Sequence, residues 1–214
     1  MRREPKTWWS PALGRPMSLV AYGHYGKPVV FFPTGGGDYL DCERFLMVRA
    51  LRPLLDAGRI KLYAVESVCR ESWTNPAVPP PQKSRVQARY ARYLIDELVP
   101  FIRHDCGGTD QRLAAVGAAQ GADNARKPPC RPPQVVDRMY GLTGPDCHDH
   151  RMGGHRDDDY YYNMPLHFVP GLRGPQLDAL RAARFVLGLG RDYENPTYTW
   201  RVADALGKQG VWNR

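Results

Sequence analysis

Gly117-Ala118-Ala119-Gln120-Gly121 follows the apolar run Arg112 to Val116 and carries a glycine two positions before and two after its centre. That spacing is what a nucleophile in a sharp strand-to-helix turn requires, because small residues on either side let the two backbones approach. A serine at the centre, with a histidine as base and an acid to orient it, would attack a carbonyl. The centre is Ala119, whose methyl group cannot attack anything. Ordinary serine hydrolysis is therefore unavailable. The geometry of such a turn still offers backbone donors: the amide of Gln120, and one from Gly35 or Gly36 in Pro33-Thr34-Gly35-Gly36-Gly37, could together hold a carboxylate or carbonyl oxygen. The three glycines equally suit a loop that only packs tightly.

Other reactive groups carry weaker signals. His148, His150 and His155 stand with Asp146, Asp149, Asp157, Asp158 and Asp159 in one polar stretch. These are ligand types for zinc or manganese, but the spacing matches no metal signature, and no metal is expected. Asp157 to Asp159 ahead of Tyr160 to Tyr162 reads as a surface turn with an aromatic anchor. Cys42 and Cys69 lie near loops without a histidine neighbour in sequence, which favours incidental thiols over nucleophiles. Glu66 ends a strand where Asp38 and Asp41 could join it, and Arg70 is close enough in sequence to pair with it. Trp73 and the prolines from Pro76 to Pro81 suit either a pocket wall or a rigid surface loop.

The elements that would position these groups alternate. Met17 to Tyr22 and Lys27 to Phe32 read as two adjacent strands. Phe45, Val48, Leu51, Leu54 and Leu55 give a helix over Glu43 to Ala57, with Asp41 as N-cap and Gly58 as stop. Ile60 to Val65 is a strand, Ser67 to Gln82 a proline-rich irregular loop, Ser84 to Ile102 a long amphipathic helix and Arg112 to Val116 a strand. Strands separated by helical crossovers predict an α/β domain with a mainly parallel sheet. From Asp123 to Asp159 the regularity fails, and Pro128 and Pro129 are expected to end any helix begun at Ala119 after about two turns. Only Val135-Val136 and Met139 to Leu142 read as strand there. Leu177 to Ala183 is a short helix and Phe185 to Leu189 a strand. Asn195 should cap a helix running to about Lys208, Gly210 ends it, and Val211-Trp212 begins another strand.

Composition sets the outer limits. The 214 residues, 43% hydrophobic and 11% aromatic, suffice for one globular domain over 1–214. Lys and Arg number 30 against 22 Asp and Glu, a formal net charge of +8, yet the charges are interleaved rather than clustered, so a nucleic-acid face is disfavoured. The positive start, Met1 to Gly14, has no apolar run behind it, and no run of about eighteen apolar residues occurs, so the expectation is a cytoplasmic protein without a membrane segment. Five widely spaced cysteines without a CxxC pair point to reduced thiols.

Taken in order, the strand Val29 to Phe32 entering the glycine loop, the strand, loop and helix from Ile60 to Ile102, and the GAAQG turn make the chain resemble the esterase branch of the α/β-hydrolase superfamily. That group includes feruloyl esterases, mycolyl transferases and S-formylglutathione hydrolases. Asp157 to Leu172 resembles the segment these esterases carry before their next strand, and Phe185 to Asp192 resembles the strand and turn that bear the triad acid. Asn124 to Arg138 fits poorly. The resemblance implies an α/β-hydrolase-like fold shortened at the C-terminus, with Ala119 at the nucleophile position, Asp192 as triad acid, an oxyanion hole at Gly35, Gly36 and Gln120, and no cofactor. A plain turn aspartate explains Asp192 equally well. The family's histidine lies beyond its last strand, and no histidine follows His167 here. The expected function is therefore a degenerate, non-catalytic binding or structural subunit with a small ester or carboxylate ligand. The alternatives are a carboxylic-ester hydrolase by descent and a metal-dependent hydrolase using the histidine stretch. A missing last strand would leave a sheet edge open to a protein partner or to self-association.

Overall fold

A computed structural model of the chain describes residues 1–145, 147–190 and 195–214. Among these residues eight strands form one sheet in the order β1-β2-β4-β3-β5-β6-β7-β8, namely β1 Arg3–Ser10, β2 Arg15–Tyr22, β3 Lys27–Phe32, β4 Ile60–Val65, β5 Leu113–Ala118, β6 Val136–Leu142, β7 Arg184–Gly188 and β8 Trp212–Asn213. β1 and β2 form an antiparallel hairpin, β2 is antiparallel to β4, and every pair from β4 to β8 is parallel. The parallel part follows from the helices between its strands, since a parallel neighbour can be reached only by a crossover.

Among the described residues ten α-helices join these strands: α1 Asp41–Arg44, α2 Met47–Asp56, α3 Pro80–Arg92, α4 Val99–Asp105, α5 Gln120–Cys130, α6 Asp149–Met152, α7 Asp158–Asn163, α8 Pro165–Phe168, α9 Gly174–Arg181 and α10 Pro196–Lys208. A π-helical stretch, Tyr93–Leu98, makes α3 and α4 continuous. The larger core lies on one face of the sheet, where Val30, Phe32, Ala115, Met139 and Phe185 meet Tyr90, Leu94 and Leu98 from the long helix and Ala125 from α5. Full burial of each larger aliphatic or aromatic side chain there contributes about 1.5–3 kcal/mol. On the other face a smaller core forms where Val29, Phe31 and Leu62 meet Val48 and Leu55 from α2.

Several expectations are corrected. Met17–Tyr22 and Lys27–Phe32 are not neighbours, because β4 is inserted between them. β1 was not anticipated. It is an edge strand whose alternation is carried by charged and aromatic residues, and Trp8 is held by a 3.0 Å bond to Glu97. The helix over Glu43 to Ala57 is broken at Leu46, which takes a left-handed conformation. Asp41 is not an N-cap. Its carboxylate turns back to accept from the amide and hydroxyl of Thr34 and from Arg44. Pro80 and Pro81 open α3 rather than extend the loop, since proline's missing donor is harmless in a first turn.

The largest correction concerns α5, which passes through Pro128 and Pro129 and ends at Cys130. The two prolines remove donors that would have bonded the carbonyls of Asn124 and Ala125. The helix is held instead by packing, with Ala122, Ala125 and Cys130 buried and Pro128 beside Val30, Phe32 and Leu98. Its last turn closes through Arg131, whose amide donates to Lys127 at 2.8 Å. The terminal expectations stand. Asn195 accepts from the Thr197 amide at 3.0 Å to cap α10, and Gly210 has φ 71° just past its end. β8 is short but pairs with β7, so the sheet is carried one strand further than β7.

Candidate functional site

β5 delivers the chain to Ala119 and α5 leaves from it, with Ala119 at φ 50° and ψ −122°. An alanine rarely adopts such a conformation, which costs on the order of 1–3 kcal/mol and persists only where the surroundings enforce it. The enforcement is steric. A Cβ on Gly117 would collide with the Gly121 carbonyl, and one on Gly121 with the carbonyls of Phe32 and Pro33. Strand and helix therefore cross at the closest approach two glycines permit. The Ala119 amide donates to the Leu142 carbonyl at 2.8 Å, tying the turn to β6.

In front of the turn lies a cleft of about 420 Å³, lined by Gly35, Thr74, Ala119, Gln120, Thr143, Gly144, Pro145, Arg151, Asn195, Tyr198 and Thr199. The fold thus brings Gly35 to Ala119 and Gln120, as the sequence suggested, so close that a Cβ added to Gly35 would lie 3.3 Å from the Gln120 Cβ. Gly36 does not line the cleft, and its carbonyl accepts from Arg70. Arg70 therefore serves the glycine loop and not Glu66, whose carboxylate accepts from the Ser67 amide at 2.9 Å. Asp38 and Asp41 both pair with Arg44, while Asp38 adds to the burial that raises the Glu66 carboxyl.

Behind the turn is a buried polar cluster that sequence reasoning missed. Asp123 is fully buried on α5, with Lys127 at 2.9 Å, Arg126 at 3.2 Å and His148 at 3.4 Å. Burial alone would raise the Asp123 carboxyl, but Lys127, His148 and Arg126 hold it well below the usual carboxylate range. The Gln120 side-chain amide lies 2.9 Å from His148 Nε2 and 3.2 Å from Asp123. His148 stacks on Trp73 with ring centroids 4.6 Å apart, and burial pushes its pKa down despite Asp123. Lys127 also reaches Gln87 at 3.0 Å and Asn124 at 3.2 Å. The available signal was the spacing of Asp123, Arg126 and Lys127 on one side of a helix, disguised by the prolines that argued against that helix.

The remaining candidates separate. His150 accepts from Arg151 at 3.0 Å and His155 bonds Asp157 at 2.7 Å, so His148, His150 and His155 have three different environments. Among the described residues no three metal-ligating side chains gather, and Asp146 lies outside them. Asp192 also lies outside the described residues. Cys42 and Cys69 are buried away from the cleft, with the Cys42 thiol pushed up to about 12 by burial and nearby acids. Trp73 is buried and serves as packing for His148, while its neighbour Thr74 lines the cleft. Asp157 caps α7 by accepting from the Tyr160 amide, and Tyr160 is fully buried, so this is the anchored turn expected.

Chemically the cleft can bind and polarise oxygen. The Gln120 amide stands at the first position of α5, where no intrahelical acceptor precedes it. Arg151 gives two of its donors to Trp73 O and His150, fewer than a guanidinium carries.

No protein-family model and no curated protein sequence matches the chain. Solved structures do. It is similar to a ferulic acid esterase with TM-score 0.71 and 14% identity, over 100% of this chain and 89% of that one. It is similar to an S-formylglutathione hydrolase from Agrobacterium tumefaciens with TM-score 0.72 and 15% identity, over 99% and 84%. The fluorophosphonate-binding serine hydrolase F of Staphylococcus aureus gives TM-score 0.73 at 10% identity, over 100% and 88%. The chain has the α/β-hydrolase-like fold of these esterases, with a mainly parallel sheet flanked by helices.

Proposed function

We propose that the chain is a non-catalytic member of this esterase-like fold that binds a small ester or carboxylate in the cleft before Ala119. The observation that carries the reading is Ala119 itself, seated at the strained centre of an intact glycine-framed turn with no nucleophilic atom. The Gln120 amide and the glycine loop at Gly35 act as an oxyanion hole, and Arg151 supplies a cation for a carboxylate. Gly36, braced by Arg70, holds the loop in place. His148 does not replace the base, being fully buried and engaged with Gln120 and Asp123.

A second reading, a carboxylic-ester hydrolase by descent with an altered site, is favoured by the preserved turn and by solved relatives that are esterases. The two agree on the present state and differ on history. Five widely spaced cysteines without a CxxC pair favour a reducing compartment, and we assign the protein to the cytoplasm on that ground. Among the described residues no helix is long and apolar enough to cross a membrane.

Calorimetric titration with ferulate tests the binding site. Binding should weaken about tenfold in Arg151→Ala, the scale of one lost charge-assisted contact. No binding of ferulate or of p-nitrophenyl acetate would defeat the ligand assignment.

A further inference from the structure

Where the end of α5 meets α3 and α7, the three helices enclose a cavity of about 340 Å³ that shares no lining residue with the cleft before Ala119. Its size suits a small molecule. α3 and α7 are pinned together at one end, where the Ser84 hydroxyl donates to the Asp157 carboxylate at 2.7 Å, and further along Ala88 and Ala91 are too short to fill the space between them. With Ile95 they make an apolar floor at three- and four-residue spacing along one side of the long helix.

The charged groups around this floor are of both signs and do not pair with one another. Arg92, Arg131, Asp96, Asp158 and Asp159 all line the cavity, and among the described residues none of the five joins a salt bridge. Helical neighbours of opposite sign elsewhere do close, as Arg52 with Asp56 and Lys208 with Asp204. Arg92 and Asp96 are also four apart and do not, because the π-helical stretch Tyr93–Leu98 takes Asp96 off the line that an α-helix would share with Arg92. The Arg131 guanidinium is laid over the Tyr162 ring instead, 3.9 Å from its centroid. Asn163, only 4% exposed, is the most telling group. Its side-chain amide donates to the Asp159 carbonyl at 2.7 Å, while its side-chain oxygen accepts from no described residue and borders the cavity. A buried acceptor left open on a cavity wall calls for a donor from outside the chain.

We propose that this cavity binds a zwitterionic α-amino acid with an apolar side chain. The ligand's ammonium carries three donors, which match the Asn163 side-chain oxygen and the carboxylates of Asp158 and Asp159. Its carboxylate suits the guanidinium forks of Arg92 and Arg131, and its side chain covers Ala88, Ala91 and Ile95. A ligand with one charge only would leave the groups of the other sign unmatched, and three carboxylates against two guanidiniums disfavour a phosphate or a dicarboxylate. The reading rests on the junction of α3, α5 and α7 and is independent of the ligand assigned to the cleft.

The test is calorimetric titration of the full chain with leucine and with its two single-charge analogues, isocaproate, which lacks the amine, and isoamylamine, which lacks the carboxylate. Leucine should bind, and each analogue should bind about tenfold more weakly or not at all, the scale of a lost charge-assisted contact. The pair Arg92→Gln with Arg131→Gln, and separately the pair Asp158→Asn with Asp159→Asn, should each weaken leucine about tenfold, and Ala88→Leu should abolish binding by filling the floor. Thermal melts certify each fold, and the two polar pairs carry the test if Ala88→Leu does not fold. Saturating ferulate should not displace leucine. No binding of leucine, equal binding of either analogue, or leucine binding unchanged in both polar pairs would overturn the proposal. Displacement by ferulate would also overturn it, by placing leucine in the cleft.

Discussion

The two sides of Ala119 are built on opposite principles. Behind it, Asp123, Arg126, Lys127, His148 and Gln120 are buried and meet one another around the Asp123 carboxylate. In front, the cleft is open and its polar groups converge on space. The turn between them is held as tightly as two glycines allow, yet its centre offers only a methyl group. The turn thus meets the steric demands of a tight strand-to-helix crossing with a methyl group at its centre, because the frame is enforced by packing and the identity of its central side chain is not.

That contrast can be broken first on the buried side. Asp123→Asn removes the one carboxylate that faces Lys127 and Arg126, and leaving buried cations uncompensated should cost about 3–5 kcal/mol in urea unfolding. A loss comparable to that of an exposed pair such as Arg52–Asp56 would show that water reaches the cluster. Next comes the frame. Gly121→Ala places a methyl group on the Phe32 carbonyl and should cost about 3 kcal/mol or more, or prevent folding, measured in the same way.

The pH dependence sharpens the same side. The Asp123 carboxyl is held below its ordinary value, so its contribution is complete above about pH 4 and is lost as the pH falls through its folded value. The His148 ring is also pushed down, chiefly by burial, so the unfolded chain takes up its proton first and stability falls as the pH drops below about 6.5. His148→Phe, which retains a ring on Trp73, should flatten the upper part of that acid loss in melts from neutral to acid pH. An unchanged profile would mean that another group titrates there. The smallest effect is at the centre itself. Ala119→Gly relieves a conformation only glycine accepts easily and should raise stability by about 1 kcal/mol, the opposite sign to Gly121→Ala two residues away.

How far the sequence revealed this depends on whether a residue's role is local. Gly117 and Gly121 were legible because their spacing is set by the backbone crossing they permit, and Asn195 because an N-cap bonds two residues on. Asp157 was legible as a turn for the same reason. β1 was hidden although its partner β2 is next in the chain, because its residues are mostly charged or exposed and give no apolar alternation. The course of α5 was misread because helix propensity lost to packing against β5, β6 and β3. Arg70 looked like a partner for Glu66 by proximity, but the fold sends it to Gly36, over a separation that no pattern encodes. The cluster around Asp123 needed His148 from another segment, and Arg151 and Tyr198 reach the cleft only once the sheet is closed.

The central claim, a formed site without a reactive atom, is tested most directly by the turnover of p-nitrophenyl acetate by the unaltered chain. The account predicts release of p-nitrophenol no faster than in buffer, with or without chelator. Turnover above that background, abolished when Gly35→Val fills the cleft beside Gln120, would place a working nucleophile in this site and contradict it.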